Sequence, residues 1–559
     1  MRRLIVTGSF LLIFIQIACS QKAGWRQSLD EYLVFRNNIE RFSGSVLIAH
    51  EGAVTYSKSI GIANHTWSIP VNDSTRYDLA SVTKMFTAIG IAQLLEDGKL
   101  DLDDTIADHF PEFPSQEIGG LTTVRQLLSH TSGISDFFMQ KQYLHSDRYR
   151  LRKLRDYDGF YTSISRNDSW VGEMHYSNTN FMILGRIIEK VSGESFYKYI
   201  DDNIFKPLDM HHTGFFEHDR IIKNLAENYT HDSQAAAEFG VPNDERWRTN
   251  TYMRAVKGMP AGGAISTAGD LLKFFKGLKD NRLINRETYN NFVKPDEDGY
   301  ALGFQNFSME GMPLIGHSGG FYGVSAQVFY LPEQQYHVIV LSNIDFGAMP
   351  VFDRIIRLLA GREVYTPIDL SQDKLRRYEG TFEITEGQMA GKQLTIRVKD
   401  GHLLFDNELE FYPYAENKFY DIDNESFRLH FERSEDGNIV GFRWFDGQNF
   451  EAMAKTIDKN DRLTLEPIAL SDNELEKYLG SYKFGNDGMM PGHKPTMEID
   501  NGALFIDGMM KFIPYEKDKF FLEGDVQMQL HFMRDEAGKI TEFNVMRGEQ
   551  VVGRVAKKE

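Results

Sequence analysis

Alternating apolar and polar residues predict strands near the start of the chain and again near its middle. The run Ser45–His50, the Glu51-Gly52 turn and the run Ala53–Tyr56 predict a β-hairpin, because the pattern has the period of a strand and its turn contains glycine. Residues 323–332 and 336–342 predict a second antiparallel hairpin. Strands at both ends of a region with helices between them predict an antiparallel sheet whose two outer strands are distant in sequence.

Two segments between these hairpins have helical periodicity. Ser81–Leu95 is an apolar run that ends near Gly98, and Asn180–Val191 is an amphipathic run that ends at Gly193. Apolar residues spaced three and four apart, followed by glycine, are typical of a helix and its C-terminus. The first part of the chain is therefore predicted to be an α/β domain, with an antiparallel sheet flanked by helices.

The pattern changes after Gly361, where helical periodicity fades and short aromatic-rich runs alternate with Asp-Gly and Asn-Gly turns. Such runs and turns are typical of all-β structure. The segment Leu370–Gly380 returns as Leu470–Gly480, and Phe411–Tyr414 returns as Phe512–Tyr515. Repetition at this scale indicates two copies of one structural unit.

Each copy has room for about eight short strands, so the sequence predicts two all-β, lipocalin-like barrel domains, closure removing the exposed sheet edges. An open sheet is the alternative. The predicted division of the chain is an export or lipoprotein signal at 1–20, a catalytic α/β domain at 21–365, a first β-repeat at 366–466 and a second at 467–559.

Composition and charge narrow the class of partner. The chain has 559 residues, 42% of them hydrophobic and 25% charged, which is typical of globular domains with sizeable cores. Its formal net charge is −18, and phosphate binding needs a concentrated basic surface. A nucleic-acid partner is therefore not expected.

The N-terminus has the pattern of an export signal. Arg2 and Arg3 precede an apolar run from Leu4 to Ala18, which is short for a membrane span. Cys19 is the only cysteine, so neither an intramolecular disulfide nor a thiolate metal cluster is expected. Either Cys19 carries a lipid anchor, or the signal is cleaved before Gln21. We expect an exported bacterial protein, periplasmic or an outer-membrane lipoprotein, that touches membrane only through a lipid on Cys19.

Ser-x-x-Lys occurs at Ser81–Lys84, Ser195–Lys198 and Ser371–Lys374, so context must choose among these candidates for a nucleophile. Ser81 opens an apolar helix, where free backbone N–H groups favour developing negative charge. Lys84 lies one turn further on the same helix face, within reach of the Ser81 oxygen. The other two serines lack this setting and are interpreted as ordinary surface residues.

Five ordered motifs surround this candidate nucleophile: Leu79–Ala88, Leu127–Ile134, Tyr176-Ser-Asn178, Gly262–Asp270 and Gly316–Gly320. In this order they resemble the serine β-lactamase and DD-peptidase superfamily, in its class C-like branch. The resemblance covers roughly residues 42–343, and Ser-x-x-Lys is a known signature of relatives of this family.

The resemblance implies roles for the residues that match its motifs. Ser81 would attack a carbonyl and form an acyl-enzyme. Lys84 and Tyr176 would handle the proton, and either one could be the base. Asn178 would hydrogen-bond Lys84 and the substrate amide. No cofactor and no metal are implied.

The resemblance also implies roles for the Gly316–Gly320 motif, which would form the other side of the substrate site. His317 stands where many relatives carry lysine, and Gly319 would let the strand lie close to the substrate. The backbone N–H groups of Ser81 and Gly320 would form the oxyanion hole. Replacing lysine by His317 removes a fixed positive charge suited to a substrate carboxylate, so penicillin-type recognition is not favoured.

D-aminopeptidases and esterases are relatives that carry His-x-Gly, and D-aminopeptidase also has two β-barrel domains after its catalytic domain. We therefore expect a serine hydrolase acting on a small amide or ester, above all a D-amino-acid-containing peptide, with peptidoglycan fragments among the candidate partners. The alternatives are an esterase or β-lactamase that uses the same site, and a non-catalytic cell-wall-binding or receptor module.

Other polar residues carry weaker signals. His130 lies in a His-Thr-Ser-Gly segment and is interpreted as a turn-stabilising residue rather than a catalyst. His211 and His212 are adjacent on a predicted loop without an evident third ligand, which makes a metal site there unfavourable. The aromatic residues after Gly361 are interpreted as barrel core.

Overall fold

A computed structural model describes residues 24–557, apart from 232–246, 252, 296–297, 387–389, 407–408, 448, 457–466, 481, 489–494, 501, 508–509, 524, 536 and 548–549. The predicted signal at 1–20 lies outside the described residues. The chain divides into two compact units, Met1–Val364 and Tyr365–Glu559. Within the described ranges no helix is long and apolar enough to cross a membrane.

The first unit contains a six-stranded sheet and several short strand pairs. In chain order its described strands are β1 (Gly44–His50), β2 (Ala53–Ile60), β3 (Ile62–Asn64), β4 (Ile69–Pro70), β5 (Tyr77–Asp78), β6 (Tyr229–Thr230), β7 (Arg248–Thr249), β8 (Ile265–Ser266), β9 (Gln305–Met309), β10 (Met312–Phe321), β11 (Val324–Leu331) and β12 (Tyr336–Ser342). The main sheet has the order β2-β1-β12-β11-β10-β9. Its outer strands are distant in sequence, and both predicted hairpins are present.

Helices cover both faces of this sheet. The α-helices of the first unit are α1 (24–38), α2 (Lys84–Glu96), α3 (Ile106–His109), α4 (Gln116–Leu121), α5 (Val124–Leu128), α6 (Lys141–Leu144), α7 (Asn178–Ser192), α8 (Phe196–Ile200), α9 (Ala268–Lys279), α10 (Arg286–Phe292) and α11 (Ala348–Leu359). Short 3₁₀ or π turns lie at Ala80–Thr83, Phe137–Met139, Arg148–Arg150, Leu154–Thr162, Asp168–Trp170, Asp201–Phe205 and Lys206–Leu208.

Alternate residues of β1 enter different cores. Val46 and Ile48 pack with α1 and α11 on one face of the sheet, while Leu47 and Ala49 join the larger core that contains α2 and α7. This division follows from the two-residue period of a strand. Helix α2 is apolar on all sides because it is buried through nearly its whole length, as expected of a central helix.

The second unit is all-β. Its first eight strands are β13 (Gly380–Ile384), β14 (Gln393–Lys399), β15 (His402–Phe405), β16 (Leu409–Ala415), β17 (Lys418–Asp421), β18 (Phe427–Arg433), β19 (Ile439–Asp446) and β20 (Asn449–Thr456), and they form a closed barrel. They are preceded by α12 (Gln372–Leu375) and a 3₁₀ turn at Arg376–Tyr378.

The second copy has the same element order. After α13 (Asp472–Leu475) and a 3₁₀ turn at Glu476–Tyr478 come β21 (Tyr482–Gly488), β22 (Met497–Asp500), β23 (Ala503–Ile506), β24 (Met510–Glu516), β25 (Lys519–Leu522), β26 (Asp525–Arg534), β27 (Ile540–Arg547) and β28 (Gln550–Lys557). Strand β21 pairs with β28, and among the described residues no pairing joins β21 to β22. In the described residues this sheet is therefore curled like a barrel but not closed between β21 and β22. It has the curvature of the predicted barrel and the unpaired edges of the alternative open sheet.

The repeat extends to the packing of side chains. In the first copy the ring centroids of Tyr378 lie 4.8 Å from both Phe419 and Phe431. In the second copy the Tyr478 ring lies 4.9 Å from its two corresponding phenylalanine rings. An arginine also lies next to each tyrosine. Arg433 Nη2 donates to the Tyr378 hydroxyl at 3.2 Å, and Arg534 Cζ lies 5.7 Å from the centroid of the Tyr478 ring. The aromatic residues after Gly361 therefore include the cores of the repeats, as predicted.

The close packing of Gly44 in β1 against the backbone of β12 allows a test of the sheet register. A Cβ at Gly44 would overlap the Leu341 carbonyl oxygen, which belongs to the backbone and cannot turn aside. We expect Gly44→Ala to cost about 1–3 kcal/mol of stability, as other overpacked substitutions do. Gly120→Ala is the control, because nothing lies within 4 Å of a Cβ there. Denaturant unfolding measures both, and equal midpoints for the two variants would contradict the sheet register.

Candidate active site

The turn before Ser81 is strained and firmly held. Ala80 has a φ of 43°, a left-handed conformation that costs a residue with a Cβ about 1–3 kcal/mol. The Ala80 N–H donates to Asp78 Oδ1 at 2.8 Å, and the Ala80 carbonyl accepts from Gly263 N at 3.3 Å. The sequence predicts an α-helix from Ser81, but Ser81 lies in the 3₁₀ turn Ala80–Thr83 and the α-helix begins at Lys84.

Lys84 is buried and surrounded by acceptors. Its Nζ lies 3.1 Å from Ser81 Oγ, 2.8 Å from Asn178 Oδ1 and 2.6 Å from the Ala261 carbonyl oxygen. Burial lowers the pKa of Lys84 to about 7, although the charge of Asp136 acts in the opposite direction. A large part of the Lys84 side chains is therefore neutral near pH 7.

Tyr176 lies on the other side of the serine. Its hydroxyl donates to Ser81 Oγ at 2.9 Å, and its ring lies 4.9 Å from Lys84 Nζ. The ring is 40% exposed and packs against His130 with centroids 4.2 Å apart. Burial of the hydroxyl raises the pKa of Tyr176, so the phenol keeps its proton.

Asp136 orients Asn178 and was missed in the sequence. Its Oδ2 accepts from Asn178 N at 2.9 Å and from Asn178 Nδ2 at 2.8 Å. This pair of bonds turns the Asn178 amide oxygen toward Lys84. A single aspartate 42 residues before its partner carries no pattern that would have identified it.

Strand β10 brings the Gly316–Gly320 motif beside the turn that carries Ser81. A Cβ at Gly319 would overlap the Leu79 carbonyl oxygen, so only glycine fits there without a shift. Gly320 lines the same cavity as Ser81. The structure thus places both glycines next to the turn that carries Ser81.

His317 is buried and takes part in a chain of hydrogen bonds. Its Nδ1 donates to the Ser318 carbonyl at 2.5 Å, so its Nε2 accepts from the Tyr300 hydroxyl at 3.0 Å. Burial, aided by the charge of Lys84, lowers the pKa of His317 to about 3. His317 is therefore neutral and is not among the residues that line the cavity. Its predicted role in binding substrate stays a prediction.

The same chain ends at His130. Its Nδ1 accepts from Ser177 N at 3.2 Å, which leaves its Nε2–H to donate to the Tyr300 hydroxyl at 3.2 Å. The structure thus links the Tyr176–Asn178 motif to strand β10 through three buried rings. His130 supports the segment that carries Tyr176, which is a positioning role consistent with its interpretation as a turn-stabilising residue.

A cavity of about 240 Å³ opens beside Ser81. Its lining combines apolar side chains with charged groups, which sequence reasoning missed because they come from loops with no recognisable pattern. Its lining includes Asp78, Ala80, Ser81, Phe138, Met139, Tyr143, Leu144, Arg148, Asn178, His218, Met253, Arg254, Lys257, Met259, Gly262 and Gly320. In the part of the chain that the structure describes, no cluster of His, Cys, Asp or Glu is suited to hold a metal.

Comparison of the sequence with protein-family models shows that the beta-lactamase model matches residues 34–362. The chain belongs to the β-lactamase family. The predicted resemblance is thereby confirmed, and so are the β-lactamase-like domain and the two all-β barrel-type repeats. The protein is a serine hydrolase of this family, as the sequence predicts.

Relatives of this β-lactamase-family protein include penicillin-binding and amidase proteins. Penicillin-binding protein 4* of Bacillus subtilis (strain 168) is 28% identical over 444 residues, covering 74% of this chain and 95% of that protein. The structure of D-amino acid amidase from Ochrobactrum anthropi SV3 shares 25% identity at a TM-score of 0.51, over 61% of this chain and 97% of that one. The octameric penicillin-binding protein homologue from Pyrococcus abyssi shares the fold at 20% identity and a TM-score of 0.54, over 95% of this chain and 99% of that one.

The buried chain of rings gives a test of the site's construction. We expect Tyr300→Phe to lower the free energy of unfolding by about 1–3 kcal/mol, because it leaves the facing nitrogens of His130 and His317 without their shared partner. The control is Tyr149→Phe, whose hydroxyl lies at an exposed site. Denaturant unfolding followed by circular dichroism compares them, and an equal loss in both variants would contradict the assigned chain.

Proposed function

We propose that Ser81 is the nucleophile of an acyl-transfer reaction on a small amide or ester, with a D-amino-acid-containing peptide as the preferred class. The observation that carries this proposal is the position of Ser81 Oγ, 3.1 Å from a buried amine and 2.9 Å from a phenol. A serine hydroxyl needs such a neighbouring base to become an effective nucleophile.

Lys84 is the base in this proposal. A neutral lysine has two N–H donors and one lone pair, and Asn178 Oδ1 and the Ala261 carbonyl take the two donors. The lone pair then faces the Ser81 hydroxyl. As Ser81 Oγ bonds to the substrate carbonyl carbon, its proton passes to Lys84, and the carbonyl electrons move onto oxygen.

Tyr176 completes the acylation step. When the tetrahedral intermediate collapses, the bond from carbon to the leaving nitrogen or oxygen breaks, and the leaving group needs a proton. The Tyr176 phenol supplies that proton and then takes a proton from Lys84. The two groups are neighbours, because Lys84 Nζ lies 4.9 Å from the centroid of the Tyr176 ring. The oxygen of a water molecule then bonds to the acyl carbon as the water gives a proton to Lys84. The bond from that carbon to Ser81 Oγ breaks, Lys84 returns the proton to Ser81 Oγ, and the acid is released.

The backbone N–H groups of Ser81 and Gly320 are proposed to stabilise the negative oxygen formed during each step. The fixed turn at Ala80 and the close packing of Gly319 support this proposal, because donors held in place need no reorganisation as charge develops. Asp136 acts through Asn178 and Lys84 and is a positioning residue.

Two observations favour a D-amino-acid substrate. The neutral His317 provides no cation for a carboxylate on the strand side of the site. The relatives include a D-amino acid amidase and penicillin-binding proteins. A peptidoglycan fragment is accordingly the proposed natural source of the substrate.

The first test is covalent labelling by a fluorophosphonate, which transfers its phosphonyl group to an activated serine and loses fluoride. We expect a single mass adduct on the full-length protein and on Ser195→Ala, the control at the other Ser-x-x-Lys of this unit, but none on Ser81→Ala. Ser81→Ala should also lose about three orders of magnitude of turnover or more. Labelling that persists in Ser81→Ala would reject this nucleophile, and absence of labelling in all three would favour a binding module.

The pH–rate profile tests the base. Since the neutral amine is active, kcat/KM should rise with pH and level off above about 7, the pKa of Lys84. Asp136→Asn removes a negative charge that raises this pKa, so the rising limb should move to lower pH. A purely structural effect would lower the rate without moving the limb.

Asp103→Asn is the matched control for this experiment, because Asp103 pairs with Arg125 on the surface. Its profile should coincide with that of the unsubstituted protein. A limb above pH 9 would instead identify Tyr176 as the base, and an unmoved limb in Asp136→Asn would contradict the assignment of the titration to Lys84.

A further inference from the structure

The cavity beside Ser81 is more cationic than the protein around it. The chain carries a formal net charge of −18, yet Arg148, Arg254 and Lys257 line this cavity and Asp78 is the only acid among the lining residues. Burial lowers the pKa of His218 to about 3, so this lining histidine is neutral. A cleft with one sign of charge and low-dielectric walls concentrates ligands of the opposite charge.

Arg254 has unused hydrogen-bonding capacity. Its side chain is only 14% exposed, and its Nη1 lies 3.7 Å from Asp78 Oδ2, which is too far for a hydrogen bond. Within the described residues, Arg254 Nε and Nη1 have no hydrogen-bond partner. Buried charged groups are costly unless such donors are satisfied, and a carboxylate fits a guanidinium with two parallel hydrogen bonds.

Lys257 is a second cation among the residues that line the cavity. Its Nζ lies 3.7 Å from the centroid of the Tyr197 ring, and burial lowers its pKa. Among the ion pairs of the described residues none involves Lys257, and Glu217, the acid whose charge acts on Lys257, pairs with Arg152 and Arg220. Asp78 cannot offset both cations, because it already accepts from Ala80 N and faces Arg254.

The position of Tyr176 tells which part of a substrate enters the cavity. Tyr176, the proposed proton donor to the leaving group, is not among the residues that line the cavity, whereas Ser81 is. This difference assigns the leaving group to the Tyr176 side of Ser81 and the acyl portion that stays on Ser81 to the cavity. The apolar lining residues, which include Phe138 and Met139, are suited to a hydrocarbon chain.

We propose that the acyl portion of the substrate ends in a carboxylate, bound chiefly by Arg254 with support from Lys257. The inference rests on the proposed function of Ser81 and adds the substrate's charge to it. A free amine in the same place would be repelled by Arg254 and Lys257, and the single negative charge of Asp78 does not offset both of these cations. The cavity thus favours a dicarboxylic acyl group whose second acid is free.

Two esters of matched shape provide the test. In the 4-nitrophenyl monoester of adipate the acyl chain ends in a carboxylate, and in 4-nitrophenyl 6-methylheptanoate an isopropyl group replaces it. We expect the full-length protein to show the higher kcat/KM for the anionic ester. Arg254→Gln should lower the ratio of the two kcat/KM values at least tenfold, while Arg254→Lys should retain part of the preference.

The controls separate charge recognition from damage to the fold. Arg125→Gln removes a surface arginine outside the cavity and should leave the ratio unchanged. If Arg254→Gln fails to fold because Asp78 loses its partner, the double variant Asp78→Asn/Arg254→Gln removes both charges and is measured instead. A ratio within twofold of the original in the folded variant overturns the inference.

The failure of the proposed function gives a different result. Hydrolysis of both esters that depends on Ser81, with an unchanged ratio in Arg254→Gln, leaves the proposed function intact and rejects the anion site alone. If neither ester is hydrolysed and no phosphonate adduct forms, the proposed function fails. Calorimetric titration with adipate then decides the anion site: binding lost in Arg254→Gln supports it, and absence of heat with the unsubstituted protein rejects it.

Discussion

The buried amine of Lys84 is the constraint on which the rest of the site depends. An ammonium removed from water is costly unless acceptors surround it, and here Ser81, Asn178 and Ala261 provide three oxygens within 3.1 Å. These acceptors come from the 3₁₀ turn Ala80–Thr83, helix α7 and the loop before β8, so burying one amine fixes the relative position of three parts of the chain. The same burial lowers the pKa of Lys84 to about 7, and a base with a pKa near the working pH is what the proposed reaction requires.

Residues that do not contact Lys84 hold its neighbours in place. Asp136 fixes the Asn178 amide through two hydrogen bonds, and Tyr300 joins the segment that carries Tyr176 to strand β10. Both histidines bonded to Tyr300 are buried with pKa values below the ordinary range, so no second positive charge competes with Lys84. The site is thus a polar network in which the pKa of Lys84 lies near neutrality and is raised by the charge of Asp136, which explains why a change at Asp136 is expected to shift the pH dependence.

Local pattern predicted the parts of the molecule in which neighbours in sequence are neighbours in space. The hairpins, helix α7 and the pair Ser81–Lys84 follow from periodicity and spacing, and the β-repeat follows from recurring segments. Asp136, Tyr300 and Arg254 could not be found in this way, because each acts on a residue at least 17 positions away from it. The 3₁₀ turn at Ser81 was also missed, since the clash-free packing of Gly319 and the Ala80 conformation are set by tertiary contacts that override helical propensity.

The presence of histidine rather than lysine at position 317 affects which charged groups a substrate can meet near Ser81. A lysine there would add a second cation next to Lys84, whereas His317 is buried, neutral and hydrogen-bonded to Tyr300. Arg254, whose Nε and Nη1 have no hydrogen-bond partner within the described residues, lines the cavity in the 253–259 segment, whereas His317 does not line it. A substrate held by Arg254 is anchored through the portion that becomes the acyl-enzyme rather than through its leaving group. Specificity of that kind persists after acylation, so the same contact that selects the substrate also holds the intermediate in place for the attack of water.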